Sequence, residues 1–262
     1  MNAERARYAG ERVNVSGWLV VVLVALAAEL AIPGLNLEDT VARPSQALTT
    51  LVSELRAGPL RDEIGATLSA YLQGLAIAIA VGVVAGVAIG SSRTLLETSS
   101  GVIEFLRPVP AVALIPLATY AMGFDTEMRR FLVAYAAVWP ILFNTLYGVR
   151  GVDRMLYDVA RTSGASRLGV LVRVTLPASL PSIATGIRIS ASLALLVCVT
   201  VEYWTQTAGV GAYMHEQYGA IRYDEVYAAV LLTALIGYVV NVVLRSTERR
   251  ALFWVGEERR AA

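Results

Sequence analysis

Six stretches of the chain are apolar for longer than a soluble core needs, and this decides what it can fold into. They run from about Trp18 to Ile32, Ile64 to Gly90, Arg107 to Tyr120, Arg130 to Tyr147, Ser182 to Trp204 and Val226 to Leu244. A helix rises about 1.5 Å per residue, so the second block reaches roughly 40 Å and crosses a hydrocarbon layer of about 30 Å with tilt. Within lipid the chain must satisfy its own backbone N–H and C=O groups, which leaves helices or a closed barrel. Blocks of this length read as helices. The expected fold is all-α, with six transmembrane helices.

Composition agrees. Of 262 residues 56% are hydrophobic and only 16% charged, and the net charge is +1. A soluble domain carries about 25% charged residues. The near-zero net charge excludes a global field that would suggest a nucleic-acid partner. The single cysteine, Cys198, lies in an apolar block, cannot form an internal disulfide and reads as packing. Nothing suggests a metal site. All 22 basic residues are arginine. A P-loop needs a lysine to reach nucleotide phosphates, so this chain is not a P-loop ATPase by itself.

The first block resembles a signal-peptide core, but Glu29 lies within it and no clear cleavage site follows, so it reads as a retained span. Residues 45–56 suggest a short amphipathic helix. Ala78, Gly82, Gly86 and Gly90 form a four-residue stripe that lets another helix approach closely in lipid. Pro108, Pro110 and Pro116 predict broken backbone, which a membrane tolerates where protein or a water-filled path surrounds it.

With the N-terminus inside, the N-terminal tail (1–16), the turn near Arg93, the 148–180 insert and the C-terminal tail (246–262) with Arg245 just before it carry 14 arginines, against 6 on the other side. Positive charge favours the cytoplasmic side. Six spans across 17–245 also return both termini to one side. Both observations put the insert and both tails in the cytoplasm.

The insert contains DVARTSGASRLGVLVRVTLP, residues 158–177. Met155, Leu156, Val159 and Ala160 lie on one side of a helix over 153–163. Gly164 is placed to end that helix in a left-handed residue. Ser166 can N-cap a second short helix, Arg167–Val174, which Pro177 ends, with Pro181 following before the fifth span. The expected product is two short helices bent at a glycine, able to fit a groove on a partner and pass its motion to the spans. From composition alone, an arginine-rich loop on anionic headgroups is an equal reading.

The spacing favours the first reading. Asp158-Val159-Ala160, three residues, Gly164 (then Ala165), nine residues after the glycine, then Val174-x-Leu176-Pro177 resembles the EAA loop of bacterial ABC importer permeases. RPVPAVALIPLATYAMGF (107–124), WPILFNTLYGVR (139–150) and VEYWTQTAGVGAYM (201–214) are similar to permeases of the nitrate, taurine and aliphatic-sulfonate type. The resemblance covers most of residues 60–245. It implies the type I importer permease fold, with a coupling loop at 153–177 that engages a separate cytoplasmic ATPase dimer, where ATP and Mg are bound. It also implies pairing with a second permease copy, delivery of a small anionic or zwitterionic solute by an external binding protein, and a place in the bacterial inner membrane. The chain itself then has no cofactor and no catalytic residue. Two positions depart from the pattern: Asp158 stands for the usual Glu, and Val159 for the second Ala. An ion-gradient-driven transporter is the competing reading, but no internal repeat or midplane carboxylate supports it.

Polar residues within spans are functional candidates by default. Pro110, Pro116, Asn144, Glu202 and Tyr203 are candidates for the translocation path or a gate. Glu202 reads as a path residue, an interfacial carboxylate, or a gating or packing residue paired with an arginine. Asn144 and Gln73 also read as interhelical hydrogen-bond partners, and His215 as a surface residue. Trp139 and Trp254 read as interfacial anchors. Tyr213, Tyr218, Tyr223 and Tyr227 read as an aromatic belt or a docking surface.

Overall fold

The structure, a computed structural model, describes residues 15–35 and 40–252, and every regular element among them is helical. In chain order these are α1 (Val15–Gly34), α2 (Pro44–Ala57), α3 (Leu60–Ser91), α4 (Arg93–Leu106), a 3-10 turn (Ala111–Leu114), α5 (Ile115–Met122) and α6 (Thr126–Arg150). Then come α7 (Arg154–Thr162), α8 (Arg167–Val170), a π turn (Leu171–Thr175), α9 (Leu176–Thr205), α10 (Val210–Gly219) and α11 (Tyr223–Ala251). Trp254 and most of the two tails lie outside the described residues.

The small residues of α3 set the central packing. A Cβ on Gly74, Gly82, Gly86 or Gly90 would meet Val133, Ile141, Thr145 or Val149 of α6, respectively, at 2.6 to 3.0 Å. Ala78 joins Ala137 in the same buried cluster. Numbers rise together along both helices, so α3 and α6 are parallel. Parallel neighbours require a return crossing between them. α4 and α5 supply it.

That return is broken. The pair α4 plus the 3-10 turn and α5 bends by 78°. The third span was expected to begin at Arg107; instead the bent pair starts at Arg93 and residues 107–110 fall at its bend. Pro108 and Pro110 cannot donate backbone hydrogen bonds, and each disfavours a helical conformation in the residue before it. Pro116 then sits in the first turn of α5, where a missing N–H costs nothing. The bend lies beside the middle of α6, where the Tyr135 hydroxyl donates to the Leu106 carbonyl at 2.7 Å.

α9 runs antiparallel to α6. Gly148 accommodates Ser179 and Ser182, Gly186 accommodates Asn144, and the Ser190 hydroxyl donates to the Ala137 carbonyl at 2.6 Å. α9 starts earlier than expected. Helical backbone is continuous from Arg167 to Thr205, and Pro177 does not end it. The π turn just ahead of Pro177 shifts the pattern, with Leu176 N–H donating to the Leu171 carbonyl, where the proline would have cost a regular bond anyway. α11 is antiparallel to α9 and tied to it by Arg188–Glu248 at 3.1 Å. α2, the start of α3 and α10 pack with α11 through Leu51, Leu60, Val210, Tyr213 and Ala228. Near one end of the bundle, the Ser45 hydroxyl and N–H donate to Glu29, fastening α1 to α2.

Four helices, α3, α6, α8–α9 and α11, are long and apolar enough to cross a membrane, or five where the bent pair counts as one span. The apolar stretch of α1, Leu19–Gly34, is shorter, about 24 Å against a hydrocarbon layer of about 30 Å.

Gly86→Val tests the α3–α6 contact. A side chain there meets the Thr145 side chain at 2.6 Å, and overpacking of this kind costs about 1–3 kcal/mol. A lowered melting midpoint of the detergent-purified protein is expected. Gly101→Ala, which meets nothing within 4 Å, leaves the midpoint unchanged or raises it; equal behaviour of the two variants contradicts the packing account.

Candidate functional sites: a bent surface element and a buried polar tie

The segment after α6 builds a compact bent element from local rules. Asp153 N-caps α7, accepting from Met155 N–H at 2.9 Å. α7 ends in a Schellman motif: Ala165 N–H donates to the Ala160 carbonyl and Gly164 N–H to the Arg161 carbonyl, both at 3.0 Å. Gly164 is left-handed, with φ +82°. No neighbour fills the space around it, so it is the backbone that demands glycine here. Ser166 N-caps α8, accepting from Gly169 N–H at 3.1 Å.

The bend is anchored underneath by a residue the sequence did not single out. The Tyr157 hydroxyl accepts from Thr175 Oγ1 at 3.1 Å and donates to the Val149 carbonyl at 3.5 Å. One side chain thus joins α7 to the end of α6 and the start of α9. Val170 and Thr175 are buried beneath it. On the outer side, Met155, Leu156, Val159 and Leu168 stand exposed. Asp158, Gly164 and Ala165 are exposed too, whereas Ala160, Val174, Leu176 and Pro177 are half-buried. Asp158 forms no ion pair among the described residues. The short helix thus carries an open apolar face and is hydrogen-bonded from below.

The opposite end of the bundle holds a sealed polar cluster. Glu202 is fully buried and pairs with Arg129 Nη1 at 3.2 Å. Its carboxylate also accepts from Thr67 Oγ1 at 2.8 Å, Gly211 N–H at 3.2 Å and Cys198 Sγ at 3.5 Å. Arg129 donates further to the Ala208 carbonyl and to Thr126 Oγ1. Thr67 accepts from Val210 N–H at 2.8 Å, and Glu63 accepts from Gly209 N–H. A Cβ on Gly209 would run into the Glu202 carboxylate, and one on Gly211 into the Val199 carbonyl. Glu202 therefore has protein on every side within this chain. It joins α3, α6, α9 and the turn into α10.

The remaining path candidates are dispersed. Asn144 donates to the Pro140 carbonyl of its own helix at 2.8 Å and packs at the α6–α9 crossing. Gln73 donates to Ser69 within α3 at 2.7 Å rather than to another helix. Tyr203 meets His215 edge-on at 5.0 Å, so the histidine is half-buried in an aromatic contact and not a free surface residue. Tyr213 is core, and burial beside Glu54 pushes its hydroxyl pKa up. Pro110 and Pro116 are exposed at the bend between α4 and α5. Trp139 lies mid-way along α6, T-stacked on Tyr135.

A bundle of long apolar helices with a bent pair and a short surface helix pair is the form of a membrane subunit. The family model for the inner membrane component of binding-protein-dependent transport systems matches residues 78–251, and the chain belongs to that family. It is 34% identical to a putative ABC transporter permease of Methanocaldococcus jannaschii, over 76% of this chain and 75% of that one. It is 30% identical to a putative aliphatic sulfonates transport permease of Bacillus subtilis, over 97% and 93%. With the taurine transport system permease of Escherichia coli it shares 31% over 92% and 86%. The fold matches an inward-facing structure of the MetNI methionine ABC transporter at TM-score 0.62 and 18% identity, covering 71% of this chain and 93% of that one. The chain is thus a permease of the ABC transporter class, similar to relatives named for aliphatic sulfonates and taurine.

Leaving one charge of a buried pair without its partner costs about 3–5 kcal/mol. Arg129→Met is therefore expected to lower the melting midpoint sharply, and the double variant Arg129→Met/Glu202→Gln to recover part of the loss. A single variant that melts like the parent contradicts the tie.

Proposed function

We propose that the chain is the path-forming subunit of an ATP-driven importer, working as a pair of copies, and that α7–α8 is its contact with a separate cytoplasmic ATPase. ATP and Mg belong to that partner, and the chain performs no covalent chemistry. ATP-driven closure of the ATPase pair moves α7, and Tyr157 passes the motion to α6 and α9. The exposed face of Met155, Leu156 and Val159 over an anchored bend carries this reading.

The helix directions support six crossings, with α1 and the bent pair each counted once. α3, α6 and α11 then run one way and the bent pair and α9 the other. The arginine excess lies at the end bearing α7–α8, which supports a cytoplasmic position for that end and for both termini. An external binding protein delivers the solute at the α2–α10 end. Relatives named for aliphatic sulfonates and taurine support a small anionic or zwitterionic solute. Glu202 serves as an internal tie beside the path rather than as its ligand.

Val159→Arg and Gly164→Arg separate docking from folding. Both variants are expected to insert in the membrane, and both to lose about tenfold or more in capture of the ATPase from solubilised membranes, since the first places charge in a desolvated contact and the second strains the bend. Unchanged capture together with unchanged ATP-driven uptake would falsify the assignment.

A further inference from the structure

The bend of the broken span places a charge at mid-depth. Arg107 lies between α4 and the 3-10 turn, and its guanidinium sits over the Phe143 ring, 4.6 Å from the centroid. Phe143 lies seven residues before the end of α6, and Tyr135, which binds the neighbouring Leu106 carbonyl, lies two turns earlier, so Arg107 sits between these levels. Arg107 is exposed and forms no ion pair among the described residues, although Glu104 stands one turn before it, also exposed. An arginine at this depth is costly against lipid and persists where it faces protein or water.

The surface around it is unusual as well. Phe131, Tyr135, Trp139, Phe143 and Tyr147 place an aromatic ring on one face of α6 every four residues. Tyr135 packs edge-on to Trp139 at 5.8 Å, and Phe143 stacks on Tyr147 at 6.0 Å. Trp139 Nε1, one turn from Phe143, has no hydrogen-bond partner. None of the five rings is fully buried, and Phe131 and Tyr147 are open.

We propose that Arg107 on the Phe143 ring is an anion subsite on the translocation path, suited to an organic oxyanion such as a sulfonate. The oxyanion would meet the guanidinium at mid-depth while its apolar part slides along the aromatic face. This rests on the permease reading and assigns the part of the path that selects charge. The ring holds the guanidinium by cation–π contact without neutralising it, so the charge stays available to an anion.

Cysteine reactivity tests it, because the chain's one cysteine, Cys198, is buried and the parent serves as its own background. Tyr147→Cys, and Val112→Cys as a second reporter, are introduced into the full chain in its membrane. Each is treated with an anionic sulfonatoethyl or a cationic trimethylammonioethyl methanethiosulfonate, with rates normalised to a free thiol. The anionic reagent is expected to be favoured about tenfold, as a nearby unscreened charge dictates. Arg107→Gln abolishes the preference, Arg107→Lys keeps it and Arg107→Glu reverses it. An unchanged ratio in Arg107→Gln overturns the anion subsite. Failure of both reagents to reach both reporters also overturns it, since that face is then closed by lipid or by the second copy. ATPase capture reads the α7–α8 contact separately, so a failed ratio with intact capture leaves the permease reading standing.

Discussion

Lipid offers helices little hydrophobic reason to associate, so close backbone approach must hold a bundle like this together. Here it is concentrated between α3 and α6, where Gly74, Gly82, Gly86 and Gly90 receive Val133, Ile141, Thr145 and Val149. Because these helices are parallel, the chain between them has to cross back. Prolines at 108, 110 and 116 break that crossing beside the middle of α6. Both the position of Arg107 and the shape of any path beside it follow from the glycine contact. α6 then uses its other faces for α9, through Gly148, Gly186 and Ser190.

The two ends of α6 are held differently. One end is locked by Arg129, whose partner Glu202 also gathers Thr67 and the Gly209–Gly211 turn. Four elements share that buried charge pair. At the other end, Val149 packs on Gly90, Gly148 receives Ser179 and Ser182, and the Val149 carbonyl accepts a long contact from Tyr157, itself joined to Thr175. Tyr157 thus adds a hydrogen-bonded link from α7 to α6 and to the turn before α9, beside the continuous backbone of α8–α9. A π turn within the same segment, at Leu171–Thr175, marks where helical backbone departs from the regular pattern nearest that input.

Local rules made much of this legible in advance. Gly164 and Ser166 announced the stop and restart of α7 and α8, because a left-handed cap and a hydroxyl N-cap depend on neighbours in sequence. The α3 stripe was readable for the same reason, but its receiver on α6 was not, since Val133, Ile141 and Thr145 look like any apolar face. Long-range choices were equally hidden. Glu202 could be suspected of taking an arginine, yet Arg129 lies 73 positions away. Tyr157 gives no sequence signal. Arg107 reads as a span boundary until α4 and α5 are seen to form one bent crossing. Pro177 misled in the opposite direction, because a π turn lets helix pass where proline ordinarily stops it.

The central claim is that α7–α8 is a preformed docking element facing a cytoplasmic ATPase. Hydrogen–deuterium exchange of the permease in membranes, with and without that ATPase, tests it most directly. Slowed exchange confined to residues 154–168 on ATPase addition, with the α3–α6 contact unchanged, is the predicted result. Equal exchange across 154–168 in the two states would contradict the account.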